Sequence, residues 1–229
     1  MALYAIGDLH LSLTANKSME VFGHAWENYV ERIRESLGTL TADDVLVLAG
    51  DTSWGIDMAE AEADFAFLEQ FPCKKLLVKG NHDYWWSTAA KFQKFCEENG
   101  FQNMFILNNN FYEYDGYAIC GTRGWYFEEN RSSEHDEKIF KRELIRLEAS
   151  LKAAGELPKM VFLHYPPRSK GYECPEILEL LERYEVRRCF YGHLHGPSHK
   201  LAMEGTWENV EYALLAADYI NFRPQKVLP

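Results

Sequence analysis

The stretch Leu3-Tyr4-Ala5-Ile6-Gly7-Asp8-Leu9-His10 decides the architecture. Four apolar residues are too few for a helix, and the glycine that stops them can turn the chain or let it pass close to another group. The stretch therefore reads as a short buried strand that ends by aiming a polar side chain inward. The same arrangement recurs along the chain. Val45–Ala49 stops at Gly50-Asp51, and Leu76–Val78 leads through Lys79 to Gly80-Asn81-His82-Asp83. Met160–Leu163 runs into His164, and Arg188–Tyr191 stops at Gly192-His193-Leu194-His195. Such runs, bounded by turn signals, predict buried strands.

Helical spacing fills the intervals. Phe22, Trp26, Tyr29, Ile33 and Leu37 share one face, as do Phe140, Leu144, Leu147 and Leu151, with Gly155 placed as a C-terminal cap. Ser87 is the expected N-cap of a helix through Cys96 that stops at Asn99-Gly100, and Glu176–Tyr184 predicts another helix. Asp115-Gly116 between two alternating runs predicts a hairpin, and Trp207–Leu215 reads as extended. Alternating strands and helices with an added hairpin imply a mixed α/β fold. No repeat, low-complexity tract or linker interrupts residues 1–229, so a single domain is expected.

Composition narrows the function. The chain has 24 basic and 35 acidic residues, a formal net charge of −11. That balance disfavours a broad grip on nucleic acid or on an anionic membrane. Aromatics at 14% exclude a disordered chain. No apolar run is long enough to span a bilayer, and the N-terminus lacks the basic and apolar regions of a secretory signal. The five cysteines (Cys73, Cys96, Cys120, Cys174 and Cys189) are widely spaced and form no Cys-x-x-Cys pair. Idle thiols in a cytoplasmic protein are expected.

Open α/β sheets place their ligand crevice beyond the carboxyl ends of the strands, so five polar strand ends point one cluster at one place. Setting His82 aside leaves seven candidate metal ligands: Asp8, His10, Asp51, Asn81, His164, His193 and His195. Carboxylates, imidazoles and one amide oxygen suit Mn²⁺, Fe²⁺/Fe³⁺ or Zn²⁺ better than Mg²⁺ alone. Seven ligands are too many for one ion and about right for two that share a carboxylate.

The order D-x-H, G-D, G-N-H-D, H, G-H-x-H, complete from Asp8 to His195, resembles the calcineurin-like metallophosphoesterases. The resemblance implies two mixed β-sheets packed as a sandwich flanked by helices. It implies that Asp8, His10 and His195 hold one metal, that Asn81, His164 and His193 hold a second, and that Asp51 bridges both. His82 resembles the family's histidine that contacts the phosphate or protonates the leaving group. Asp83 is expected either to hold that imidazole or to support Asn81. The implied chemistry is attack on phosphorus by a hydroxide bridging the two metals.

The second motif, Gly50-Asp51-Thr52-Ser53-Trp54-Gly55, lacks the aspartate and arginine of the Ser/Thr protein-phosphatase branch. The third motif ends in Asp83 where that branch has glutamate, and Leu11 replaces the glycine usual after D-x-H. The chain is more similar to compact bacterial phosphoesterases. A small phosphomonoester or phosphodiester is the expected substrate, with a protein phosphatase, a nuclease or a non-catalytic protein-binding scaffold as alternatives. Arg123, Arg168, Tyr84 and Trp85 are candidate substrate contacts. Asn130–Lys138 reads as a solvated loop leading into the next helix, with a lid as the sharper alternative. Two dications against Asp8 and Asp51 leave a formal surplus of +2, so an acidic surface is compatible with an anionic substrate. The sequence leaves the oligomeric state open.

Overall fold

The computed structural model describes residues 1–15, 17–125 and 134–229. In the first sheet β1 (Leu3–Ile6), β2 (Val45–Ala49), β3 (Lys74–Val78) and β4 (Met104–Ile106) run parallel in that order. A last strand, β13 (Gln225–Leu228), lies antiparallel beside β1. The second sheet has a parallel centre of β6 (Tyr117–Thr122), β7 (Lys159–Leu163), β10 (Arg188–Tyr191) and β12 (Val210–Leu214). Its antiparallel edges are β5 (Phe111–Tyr114) and β11 (Gly205–Trp207). A small hairpin, β8 (Arg168–Ser169) with β9 (Tyr172–Glu173), stands apart.

The sheets pack face to face. Leu3, Ala5, Val47 and Leu76 meet Ile119, Met160, Phe162 and Phe190 in one buried cluster, in which Phe162 and Phe190 stack at 4.9 Å. Burying a side chain of this size contributes about 1.5–3 kcal/mol. The alternate residues face outward. Ile6, Leu46, Leu48 and Leu77 pack with residues of α1 (Tyr29–Leu37), α2 (Glu62–Glu69) and α3 (Ala89–Asn99). Cys120, Val161, Leu163 and Tyr191 pack with residues of α4 (Glu134–Ala153) and α5 (Pro175–Arg183). Both faces of each sheet are covered, which is why the central strands read as continuous apolar runs. The result is the expected sandwich of two mixed sheets between helices.

At one end the sheets are tied together. The Gly7 N–H donates to the Leu215 carbonyl (2.8 Å), the Ala217 N–H to the Gly7 carbonyl (3.1 Å), and the Leu215 N–H to the Tyr191 carbonyl (2.7 Å). The carboxyl ends of β1 and β10 are thereby held in register, although they belong to different sheets.

The hairpin at Asp115-Gly116 forms as expected, with both residues at positive φ (47° and 76°), as a type I′ turn requires. The single helix expected from Phe22 to Leu37 does not form. Gly23 at φ 108° and Asn28 at φ 51° break it into two short 3-10 turns, Met19–Phe22 and His24–Trp26, followed by α1. Trp26, Tyr29, Ile33 and Leu37 still point into the core, whereas Phe22 is exposed. The cap of α3 is Thr88, whose hydroxyl accepts the Lys91 N–H, and not Ser87. All five cysteines are free and buried. Among the described residues no helix is long and apolar enough to cross a membrane.

Candidate metal centre

Strands β1, β2 and β3 deliver Asp8, His10, Asp51 and Asn81, while β7 and β10 of the other sheet deliver His164, His193 and His195. Four of these donors sit at positive φ: Asp8 (58°), His10 (46°), Asp51 (50°) and His193 (72°). Non-glycine residues seldom adopt that region, and strain of this kind collects where a side chain must be aimed. Backbone bonds hold it in place: the Asp8 N–H donates to the Gly50 carbonyl (2.8 Å) and the His10 N–H to the Asp51 carbonyl (2.9 Å). Two of the motif glycines serve space more than rotation. A Cβ on Gly80 would fall on the Asp51 carboxylate, and one on Gly192 would fall on the Asp8 carboxylate.

The donors form two groups that share one carboxylate. In the first, one ligand atom each from Asp8, His10, Asp51 and His195 lie within 4.8 Å of one another. His10 Nε2 is 3.1 Å from His195 Nε2 and 3.7 Å from Asp51 Oδ2, and His195 Nε2 is 3.3 Å from Asp8 Oδ1. In the second, Asn81 Oδ1 lies 2.6 Å from His164 Nε2 and 3.0 Å from His193 Nδ1. Asp51 Oδ2 reaches this group too, 3.5 Å from His164 Nε2. All seven sequence-derived ligands therefore converge, and Asp51 lies between the two groups.

Electrostatics shows that the residues fit cations. Burial, then Asp83 and Asp8, push the Asp51 carboxyl well above its usual range, outweighing the His82 N–H and the His195 ring that act the other way. Burial pulls His164 down to about 3, and burial together with His164 pulls His193 to about 3. His10 is lowered by burial and then by His195. Neutral rings present lone pairs, as metal ligation requires. His164 Nδ1 lies 3.2 Å from the Ala49 carbonyl, which fixes its proton there and turns Nε2 toward Asn81. His195 differs: burial lowers it, but Asp8 and Asp218 outweigh that effect and hold it at about 10. Without metal, a protonated His195 donates to the neutral His10 ring 3.1 Å away.

Asp218, which the sequence reading missed, supports this site from behind. Its carboxylate faces His195 Nδ1 (3.2 Å) and His199 Nε2 (3.1 Å) and accepts the Gly196 N–H (2.9 Å). A dication on His195 Nε2 must displace that ring's extra proton, so binding releases protons and tightens as pH rises toward about 10. Asp218→Asn should lower the His195 pKa, reduce the protons released at pH 7 and flatten the rise of affinity with pH. The lost orienting contact should show as about 10–100-fold weaker Mn²⁺ affinity at high pH, where proton competition has vanished. Titration calorimetry in buffers of different ionisation enthalpy measures both; an unchanged affinity and proton count would remove Asp218 from the site. Two further residues went unread. Trp54 stacks on His10 (5.0 Å, 26°), and Trp26 meets His10 and His195 edge-on at 5.9 and 5.8 Å.

His82 ligates in neither group. Its backbone N–H donates to Asp51 Oδ1 (2.7 Å), and its half-buried ring lies against Trp54 (4.4 Å). Asp83 touches neither that imidazole nor the Asn81 side chain. Instead its two oxygens accept N–H groups from Asp51, Thr52, Ser53 and Gly80 and the Trp85 indole. It clamps the ends of β2 and β3 together. Tyr84 is exposed, with its hydroxyl 3.5 Å from His82 Nδ1. Trp85 is core, packed on Phe65 and Phe92, and cannot be a substrate wall. Arg168 is likewise buried, paired with Glu173 and Glu208 and placed over Tyr212. Neither residue joins the cluster. Arg123 borders it, since its carbonyl accepts the His164 and Tyr165 N–H groups, but its guanidinium turns to Glu143 (3.6 Å) and Trp125. Tyr126, Phe127 and the Asn130–Ser133 part of the loop considered as a lid lie outside the described residues.

The family model described as calcineurin-like phosphoesterase matches residues 1–197. The chain belongs to the calcineurin-like phosphoesterase family. That stretch contains all seven converging donors. Among solved structures, a Thermus thermophilus protein superposes with a TM-score of 0.58 at 14% identity, covering 99% of this chain and 97% of its own. A protein of unknown function from Aquifex aeolicus superposes with a TM-score of 0.56 at 15% identity, covering 97% and 94%. At these identities the likeness shows the shared fold. A search of curated proteins found no match. Members of the calcineurin-like phosphoesterase family are generally metal-dependent, and the Asp8, His10, Asp51 and His195 group is a possible binding site for such an ion.

Proposed function

We propose that this chain is a single-domain, two-metal hydrolase of small phosphate esters, with His82 protonating the leaving group. The observation that carries the proposal is the pair of donor groups joined at Asp51 Oδ2, with one non-ligating histidine beside them. Asp8, His10, Asp51 and His195 would hold one dication, and Asp51, Asn81, His164 and His193 the other; Mn²⁺, Fe²⁺/Fe³⁺ and Zn²⁺ suit these ligands. Two dications bound there supply an acidified water and offset the charge on the phosphoryl oxygens.

The chain's own residues do the rest. Asp83 fixes the strand ends that carry Asp51 and Asn81, so the donors keep their positions as the phosphoryl group approaches. Water adds to phosphorus as the ester P–O bond breaks; the leaving oxygen takes a proton from His82, one water proton stays on the phosphate, and the other returns through solvent to restore His82. Burial and then His195 lower the His82 pKa in the free chain. A bound phosphoryl dianion acts in the opposite sense on that ring. Trp54 packs against the ring and limits its rotation.

Turnover of p-nitrophenyl phosphate against bis-p-nitrophenyl phosphate, after metal stripping and Mn²⁺ readdition, tests the proposal. Hydrolysis that returns only with metal is expected, and the preferred substrate tells monoesterase from diesterase. Two bound ions without turnover of either would favour a protein-binding scaffold.

A further inference from the structure

Large apolar side chains left in water mark contact surfaces when they gather in one place. Eleven are exposed among the described residues, and five of them (Leu13, Val21, Phe22, Ile56 and Tyr84) lie on the three loops that leave β1, β2 and β3 at the metal-centre end. The β1 and β2 loops touch, and the β3 loop meets them at His82. The Trp54 indole N–H reaches Met19 Sδ (3.4 Å), which brings the Met19–Phe22 turn alongside Trp54. Ile56 follows Trp54 by two residues and is 62% exposed. Tyr84 follows His82 by two residues and is 55% exposed. Trp54 itself is half-buried and lies 4.4 Å from the His82 ring, with Lys17 Nζ 5.3 Å from its centroid.

This apolar strip therefore adjoins His82. On the His193 side of the centre, the ring meets Tyr165 at 4.5 Å. A proton donor has to stand beside the oxygen it protonates, so the side of the site that holds His82 is the side that holds the leaving group. From this placement we propose that the substrates are phosphate esters with a bulky apolar leaving group, aromatic or alkyl, seated on Trp54, Tyr84, Ile56 and Phe22. The proposal rests on the phosphoesterase reading and names its substrate class. It also accounts for an exposed Phe22: Gly23 ends the turn that carries it and leaves the ring outside the core.

The test compares kcat/KM of the Mn²⁺-loaded chain on two matched pairs, phenyl against 1-naphthyl phosphate and ethyl against octyl phosphate. Within each pair the leaving groups have similar acidity and differ mainly in apolar area. About a tenfold or greater advantage for the larger member of at least one pair is expected. An advantage confined to the naphthyl arm assigns the strip to aromatic groups, and one confined to the octyl arm assigns it to alkyl chains. Tyr84→Ser with Ile56→Ser should cut that advantage to about twofold while two Mn²⁺ remain bound, which separates lost contact from a damaged centre. Equal kcat/KM within both pairs overturns the proposal and leaves the phosphoesterase reading standing. No turnover of any ester by the fully loaded chain overturns both.

Discussion

Asp51→Asn is expected to lower Mn²⁺ stoichiometry from two per chain to one or none and kcat/KM by about 10³-fold or more. Residues that act as a unit lose far more than a pairwise share when one is removed. Asp51 Oδ2 is the atom common to both donor groups, 3.7 Å from His10 Nε2 and 3.5 Å from His164 Nε2. Asparagine keeps the shape, and its Oδ1 can still accept the His82 N–H, so a collapsed loop would not explain the loss. Stability should move the other way. Burial, Asp83 and Asp8 raise the folded carboxyl pKa above its unfolded value, so the ionised group opposes folding at neutral pH. The neutral side chain relieves that crowding. The metal-free variant should melt above the metal-free wild type by a few degrees, on the order of 1–2 kcal/mol. Calorimetry and metal analysis read both effects, and retention of two ions with wild-type turnover would contradict the role.

His82→Ala is expected to keep both metals and to lose about 10²–10⁴-fold in kcat on alkyl phosphates. The loss should fall below about tenfold on p-nitrophenyl phosphate, whose leaving group needs little help from an acid. That split distinguishes proton donation from a general loosening of the site, which would slow all esters alike. The geometry allows the test, because His82 touches the centre through its backbone N–H to Asp51, a contact that alanine retains. Wild-type rates on alkyl phosphates would end the assignment of His82 as the acid.

The donors were legible because each lies at or just beyond the point where an apolar strand stops. Asp8 and Asp51 follow glycines that clear space or turn the chain, and His164 follows Leu163 directly. Pattern and position carry the same message there. Asp218 was not legible, since it follows Leu214-Leu215-Ala216-Ala217 with no turn glycine and acts only through His195. Trp26 reads only as one of the apolar positions on a helix face and Trp54 only as part of the second motif, and their contact with His10 exists only once two loops fold together. Arg168 was misread for the same reason: Glu208, which pairs with it, is 40 residues away and brought in by β12. Trp85 sits beside the motif in sequence, yet the clamp on Asp83 turns it into the core. In the segment from Phe22 to Leu37 the apolar spacing was real, but Gly23 and Asn28 adopt positive φ and end helical hydrogen bonding between its turns. Local spacing records which side chains share a face, not whether the backbone between them stays helical.

The central claim, that seven side chains from both sheets hold two dications through Asp51, is tested most directly by locating bound metal. Crystals of the Mn²⁺-loaded chain, measured at the manganese absorption edge, should show two anomalous peaks. One should lie among Asp8, His10 and His195, the other among Asn81, His164 and His193, with Asp51 between them. A single peak, or peaks away from Asp51, would contradict the account.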